Sequence, residues 1–333
     1  MLKETGSLPP VLEIADLKVF FYTDYGVVKA VDGVRFHLNA GETLGLVGES
    51  GCGKSVTAMA VLGLVRYPGR IVAGEIIYHQ NAKKVRLSGL DPKGREIRSI
   101  RGNDIAMIFQ EPMTSLNPVF TVGYQIMEAI ILHQRLNRRQ AREAAISMLA
   151  KVGIPLPEQR VDEYPHQLSG GMRQRAMIAM ALSCRPSILI ADEPTTALDV
   201  TIQAQVLELM MNLKAEFQTS IIMITHDLGV IAGIADRVVV MYLGKVVEEA
   251  GVREIFYNTK HPYTQGLMNS VPSVRGKIRD LKPIPGVVPD AFALPTGCSF
   301  QPRCSQVSKM CRTEAPPLTE VGPNHWVACW LHS

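Results

Sequence analysis

The chain has 333 residues, 47% of them apolar and 20% charged, with 35 Lys and Arg against 31 Asp and Glu. That balance excludes an intrinsically disordered chain, and a net charge of +4 does not call for a nucleic-acid partner. Met1–Pro10 lacks the apolar stretch of a signal peptide and no run approaches the roughly 20 apolar residues of a membrane helix, so a cytosolic chain is expected, in which six cysteines point to thiols or metal before disulfides.

In chain order, Val11–Phe21 and Val27–Leu38 are rich in β-branched and aromatic residues, with Gly26 and Asp32-Gly33 as turns, and predict strands. Ile71–Tyr78 and Lys84–Leu87 continue this antiparallel reading; Asp91-Pro92-Lys93-Gly94 is a turn and Ile105–Phe109 a further strand. After Gln110 the period changes. Ile126, Ala129 and Ile130, then Ala141, Ala145, Met148 and Leu149, recur at helical spacing, with a helix start at Asn137-Arg138-Arg139-Gln140. The chain then alternates: strand Ile188–Ala191, a helix Thr201–Glu216 with Ile202, Val206, Leu209 and Leu213 on one face, strand Ile221–Thr225, helix Leu228–Ala235 and strand Val238–Tyr242. Alternation of this kind implies a parallel sheet with ligands at the strands' C-terminal ends. Beyond Phe256–Pro262, Pro and Gly become dense and regular elements fade, yet four of the six cysteines fall there.

Three stretches carry chemistry. Gly48-Glu49-Ser50-Gly51-Cys52-Gly53-Lys54-Ser55 has the form G-x-x-x-x-G-K-S between an apolar run and a helix-competent run, Val56 to Leu64. Glycines let successive N–H groups curl into one concavity, the helix start adds partial positive charge, Lys54 reaches β/γ-phosphates and the Ser55 hydroxyl suits Mg²⁺. Ser187–Glu193 is a buried apolar strand ending in two carboxylates, fitting Asp192 to Mg²⁺ ligation and Glu193 to the role of base beside a γ-phosphate. Leu168-Ser169-Gly170-Gly171 opens a helical run, a second anion site on its own donors and dipole.

In this combination the chain resembles the ATP-binding subunits of ABC transporters over roughly residues 10–255. The motifs stand in the expected order: Walker A at 48–55, Q-loop at Gln110, signature at 168–171, Walker B at 188–193, D-loop at Ala197-Leu198-Asp199 and a switch histidine in Thr225-His226-Asp227. The stretch Gln110–Pro118, Tyr164-Pro165-His166-Gln167 and His261-Pro262-Tyr263-Thr264 are similar to the dipeptide and oligopeptide importers, a pattern that nickel importers share. The resemblance implies an α/β P-loop NTPase fold of the ABC type: a mixed core sheet, an antiparallel β-subdomain and a helical subdomain. Residues 1–257 would form the ATP-binding domain with the helical subdomain at about 111–184, and 258–333 a cysteine-bearing extension.

It also implies roles. Tyr25, 23 positions before Gly48, would stack on adenine, with Tyr22 as the fallback. Gln110 would contact Mg²⁺ and the lytic water, Glu193 would polarise that water and His226 would hold the γ-phosphate. Ser169 and Gly171 would act in trans across a head-to-tail dimer, and Asp199 would couple the two sites. Val56 leaves only backbone contact to the α-phosphate, and Met172 removes a side-chain hydrogen bond common at the signature's fifth position. The implied partners are a second ATPase subunit, a paralogue or a second copy, two membrane permease subunits and, indirectly, an extracellular peptide-binding protein, with the chain peripheral on the cytoplasmic face of the membrane. A soluble ABC ATPase acting on DNA or ribosomes is the alternative of another class.

Cys298, Cys304, Cys311 and Cys329 are spaced C-x5-C-x6-C-x17-C. Structural zinc sites use close Cys pairs, absent here, and the spacing matches neither ferredoxin pattern. An iron–sulfur cluster, zinc, and free thiols or disulfides all remain open on the residues; the resemblance to peptide-importer ATPases implies a [4Fe–4S] cluster that folds the extension.

Overall fold

The computed structural model describes residues 10–80, 83–110, 115–196, 198–270 and 283–332. Residues 111–114, within the importer-like stretch Gln110–Pro118, and Ala197 of the D-loop lie outside the described residues. The chain forms two compact units, one of residues 1–11, 39–41 and 90–222, the other of 12–38, 42–89 and 223–333.

In the second unit the antiparallel sheet runs in the order Gly26–Asn39, Pro10–Thr23, Gly69–Gln80, Lys83–Arg86. Its buried residues on Pro10–Thr23 are Leu12 and Ile14, then Leu17 and Val19, so the alternation slips by one. A bulge between Ala15 and Lys18 causes the slip, with Asp16 at φ 48°. Gly74 lies against it at φ +91°, where a Cβ would sit 2.5 Å from the Asp16 carbonyl oxygen. The same unit holds Thr43–Val47, fully buried and parallel to Arg237–Tyr242, which pairs antiparallel with Lys245–Gly251. A buried strand with both faces covered reads as a continuous apolar run, as Leu44 to Val47 does.

The first unit pairs Ile105–Ile108 in parallel with Ile188–Asp192, with Ile105 opposite Ile188. Three of its helices, Val122–Gln134, Arg138–Lys151 and Gly170–Leu182, bury Ile126, Ile130, Ala141, Ala145, Leu149, Ala176 and Ala179. Asn137 caps the second, and Gln140 closes a capping box. The helix Val200–Phe217 turns Val206, Leu207, Met210 and Leu213 inward. Leu209 and Ile202 are only half-buried, so the true stripe is rotated from the expected one. Among the described residues no helix is long and apolar enough to cross a membrane.

The Pro-rich end is more regular than its composition suggests. Thr319–Gly322 and His325–Val327 form a hairpin whose second strand pairs antiparallel with Lys245–Gly251. Strands of four and three residues are too short to display alternation. Glu248 anchors this end. Fully buried, it accepts from Thr259 Oγ1 at 2.9 Å, Lys260 N at 2.7 Å and His261 N at 3.0 Å, and pairs with His325 Nε2 at 2.8 Å. Burial pushes His261 down to about 4, which keeps its ring neutral, and its Nδ1 accepts the Tyr263 N–H that opens helix Pro262–Asn269. Removing one partner of such a network strands the others without water. Glu248→Ala is therefore expected to cost about 3–5 kcal/mol in urea unfolding; a loss below about 1 kcal/mol would show that the network is not a fastening.

Candidate nucleotide site

The loop after Thr43–Val47 owes its shape to glycine. Gly48, Gly51 and Gly53 have φ of 150°, 79° and 101°. A Cβ on Gly48 would lie 2.2 Å from the Met241 carbonyl oxygen, and one on Gly53 would lie 2.3 Å from that of Ala30. At Gly51 the space is open. The loop is thus packed behind and empty in front, the form of a phosphate cradle, and helix Lys54–Val61 starts directly from it. Lys54 is buried and folds its Nζ onto the loop's own carbonyls, Gly48 O at 2.7 Å and Glu49 O at 3.0 Å. Those bonds are exchangeable for phosphate oxygens. Cys52 is buried with its Sγ 3.6 Å from Lys54 Nζ; burial pushes its thiol up, against the pull of Lys54, so it packs as a neutral side chain. Ser50 is exposed, and Ser55 and Val56 are half-buried around the cradle. Tyr25, at the turn between the first two strands, is 90% exposed, whereas the Arg70 guanidinium covers the ring of Tyr22 at 4.2 Å. In the same unit the exposed His226 precedes Asp227, whose carboxylate accepts from Gly229 N and Val230 N to cap Leu228–Ile234.

In the other unit Asp192, 3% exposed, ends its strand, and Glu193 follows at φ 47°. That left-handed backbone is strained for a residue with a Cβ and turns the Glu193 carboxylate away from the strand line. Its Oε2 accepts from Gln110 Nε2 and from Thr196 Oγ1, each at 3.0 Å. Gln110 and Glu193, 83 residues apart, are thereby brought together; Thr196 was not foreseen. Ser169 caps helix Gly170–Leu182, accepting from Met172 N at 3.3 Å, with Gly170 exposed and Gly171 half-buried at its start. Asp199 caps Val200–Phe217 by accepting from Ile202 N at 2.9 Å, and the Ile202 side chain flanks Gly171. Gln174, fully buried on the signature helix, donates to the Pro194 carbonyl and so ties that helix to the residue after Glu193. Mg²⁺ calls for oxygen ligands; this unit offers the Asp192 carboxylate and the Gln110 amide oxygen, and the other unit, by itself, the Ser55 hydroxyl.

The four C-terminal cysteines do not form the expected [4Fe–4S] site. Among the described residues no group of three or more His, Cys, Asp or Glu is arranged to hold a metal ion, which removes zinc as well. All four are free thiols. Cys311 Sγ is taken up by Ser308 Oγ at 3.2 Å and Cys304 Sγ by Gln306 N at 3.4 Å. Burial pushes the Cys298 and Cys304 thiols up and that of Cys329 to about 11. The cavity the four share is about 10 Å³, room for one water. They pack this end as small apolar side chains.

A nucleotide cradle, a carboxylate-tipped strand and a second helix opening on Ser169-Gly170-Gly171 define an ATP-binding cassette. Residues 31–196 match the ABC transporter family, and 247–311 match the C-terminal region of oligopeptide/dipeptide transporters. The oligopeptide transport ATP-binding protein AppD of Bacillus subtilis is 50% identical over 97% of this chain and 97% of its own. The dipeptide transport ATP-binding protein DppD of Bacillus subtilis is 51% identical over 96% of this chain and 94% of its own. A dimeric structure of the cassette MJ0796 bound to ADP and Pi superposes with a TM-score of 0.63 at 26% identity, covering 73% of this chain and 99% of that one. The chain belongs to the peptide ABC transporter ATP-binding family, and it is an ATPase of that class.

Proposed function

We propose that the chain is the ATP-hydrolysing subunit that powers import of dipeptides or oligopeptides through a membrane permease. The observation that carries this reading is the near full-length likeness, at about half identity, to the oligopeptide and dipeptide transport ATP-binding proteins, extending into their own C-terminal region. Residues 1–257 form the ATP-binding domain, with the helical subdomain at about 111–184, and 258–333 the importer extension.

In this reading Tyr25 stacks on adenine. The loop amides from Gly48 to Val56 other than that of Glu49, with Lys54, hold the phosphates. Ser55, Asp192 and Gln110 would hold Mg²⁺, which would supply neutralisation of phosphate charge. Glu193 accepts the proton of a water that attacks the γ-phosphorus in line; the P–O bond to ADP breaks and phosphate leaves, while His226 donates to the γ-phosphate. Ser169, Gly170 and Gly171 of a second subunit, a paralogue or another copy, cover the γ-phosphate from the far side, and Asp199 links the two sites. Closure and reopening of this pair drive two permease subunits, served by an extracellular peptide-binding protein, with the chain on the cytoplasmic face of the membrane.

The exposed aromatic pair Phe120 and Tyr124, rings 4.9 Å apart, continues along the helix to Ile131 and Leu132 and suits an apolar permease element. Co-purification from native membrane should bring down permease subunits, and in reconstituted vesicles Tyr124→Ala with Leu132→Ser should keep basal ATP hydrolysis and lose peptide uptake. Recovery with nucleic acid instead of membrane proteins would count against peptide import, and uptake unaffected by both changes would count against this surface as the permease contact.

A further inference from the structure

Glu49, the second residue of the phosphate loop, has every polar group engaged within its own unit. Its N–H donates to Tyr263 Oη at 2.8 Å. Its carbonyl oxygen accepts from Lys54 Nζ at 3.0 Å and Cys52 N at 3.3 Å. Its carboxylate takes a two-pronged pair from Arg303, Nη1 to Oε2 at 2.6 Å and Nη2 to Oε1 at 3.0 Å. Arg303 lies 254 residues further along the chain, in the C-terminal extension.

Arg303 is no surface ion. Its side chain is 4% exposed. Nε donates to the Pro285 carbonyl at 3.1 Å, Nη2 also reaches that of Ile284 at 3.4 Å, and the guanidinium lies over the Tyr242 ring at 5.9 Å. A buried guanidinium is tolerable only with its donors met and a carboxylate beside it. Glu49 is the carboxylate that meets it. Tyr263 is equally fixed: fully buried, its ring lies 4.6 Å from that of Tyr242 and 5.4 Å from that of Phe300. Burial holds its hydroxyl firmly protonated. The extension thus grips the phosphate loop at one residue from two directions, by charge and by a hydroxyl acceptor.

A loop with three glycines in left-handed backbone has much conformational freedom to lose when it wraps a phosphate. Freedom removed beforehand is not paid again on binding. We propose that Arg303 and Tyr263 are positioning residues for the nucleotide: through Glu49 they hold the loop in its phosphate-receiving form, so that the C-terminal extension sets the affinity of this ATPase for ATP. This rests on the reading of Gly48–Ser55 as the ATP site. It separates two effects: loss of the clamp weakens binding, while the chemical step, run by groups the clamp does not touch, keeps its rate at saturation.

The test uses the full chain with Mg²⁺ and MANT-ATP as the equilibrium probe, and steady-state hydrolysis for kcat and KM. Glu49→Ala, Arg303→Met (which keeps the apolar stem), their double variant and Tyr263→Phe are compared with wild type. Each single change is expected to raise Kd and KM about tenfold, the worth of one charge-assisted pair, with kcat within about twofold. The double variant should bind no worse than the weaker single, because both remove one contact. Unchanged Kd in the singles, or losses that multiply to about a hundredfold in the double, overturn the proposal. Should Arg303→Met fail to fold, Glu49→Ala and Tyr263→Phe carry the same test; a fall in kcat with KM unchanged would also overturn it. If wild type and Lys54→Ala bind the probe alike, the ATP-site reading itself falls; if only Lys54→Ala loses binding while the clamp variants keep it, the clamp alone is wrong.

Discussion

Glu193→Gln is expected to lower ATP turnover at least about a hundredfold while ATP affinity stays within a few-fold. The isosteric amide keeps the length and the backbone of the residue, including the left-handed φ of 47° that any non-glycine side chain at this position must bear. It can still accept from Gln110 Nε2 and Thr196 Oγ1, so the arrangement around it survives. What disappears is the ability to take a proton from water, and general-base groups contribute about 10²–10⁴ in rate. Phosphate release under saturating ATP, set beside MANT-ATP binding, reads the two quantities separately. Turnover above about a tenth of wild type would remove Glu193 as the base.

What was legible in the sequence is what acts through backbone and near neighbours. The phosphate loop is written in glycines because its function is a backbone shape, and the structure shows the shape to be enforced, with carbonyl oxygens of Ala30 and Met241 standing where side chains would go. Helix starts were readable for the same reason; Asn137 and Gln140 cap each other three residues apart. Contacts made at long range were not. The bulge at Asp16 shifts the buried phase of the first strand, and period counting has no access to a register that Gly74 on another strand helps to set. The helix 200–217 presents Leu207 and Met210 rather than Ile202 and Leu209 because its neighbours, not its own period, choose the face. The four cysteines misled: composition offered thiol ligands, whereas burial and local hydrogen-bond partners make them packed thiols. Arg303 and Tyr263 carried no signal toward the phosphate loop, although Tyr263 lies within His261-Pro262-Tyr263-Thr264, a stretch that marked the importer branch.

Gly171→Asp separates what a chain does alone from what it does for its partner. Gly171 stands in the first turn of Gly170–Leu182, behind the Ser169 cap. A Cβ there would meet only Ile202 Cγ2, at 3.4 Å, an ordinary contact, and the residue is not among those with left-handed φ. The fold should therefore accept the side chain. A carboxylate in a first turn even favours the helix, by about 0.3–1 kcal/mol, and replacing glycine within a helix adds to that. The thermal midpoint should be equal or higher, and MANT-ATP binding by the isolated chain should be retained, because the phosphate loop is untouched. Hydrolysis by the assembled pair should nevertheless fall at least about a hundredfold, since the new charge occupies the surface proposed to receive the partner's γ-phosphate and replaces attraction by repulsion. A more stable chain with an inactive pair is a combination that loss of folding cannot produce. Turnover near wild type would show that the signature helix meets no phosphate, and a matching loss of binding by the isolated chain would place its action within one subunit instead of between two.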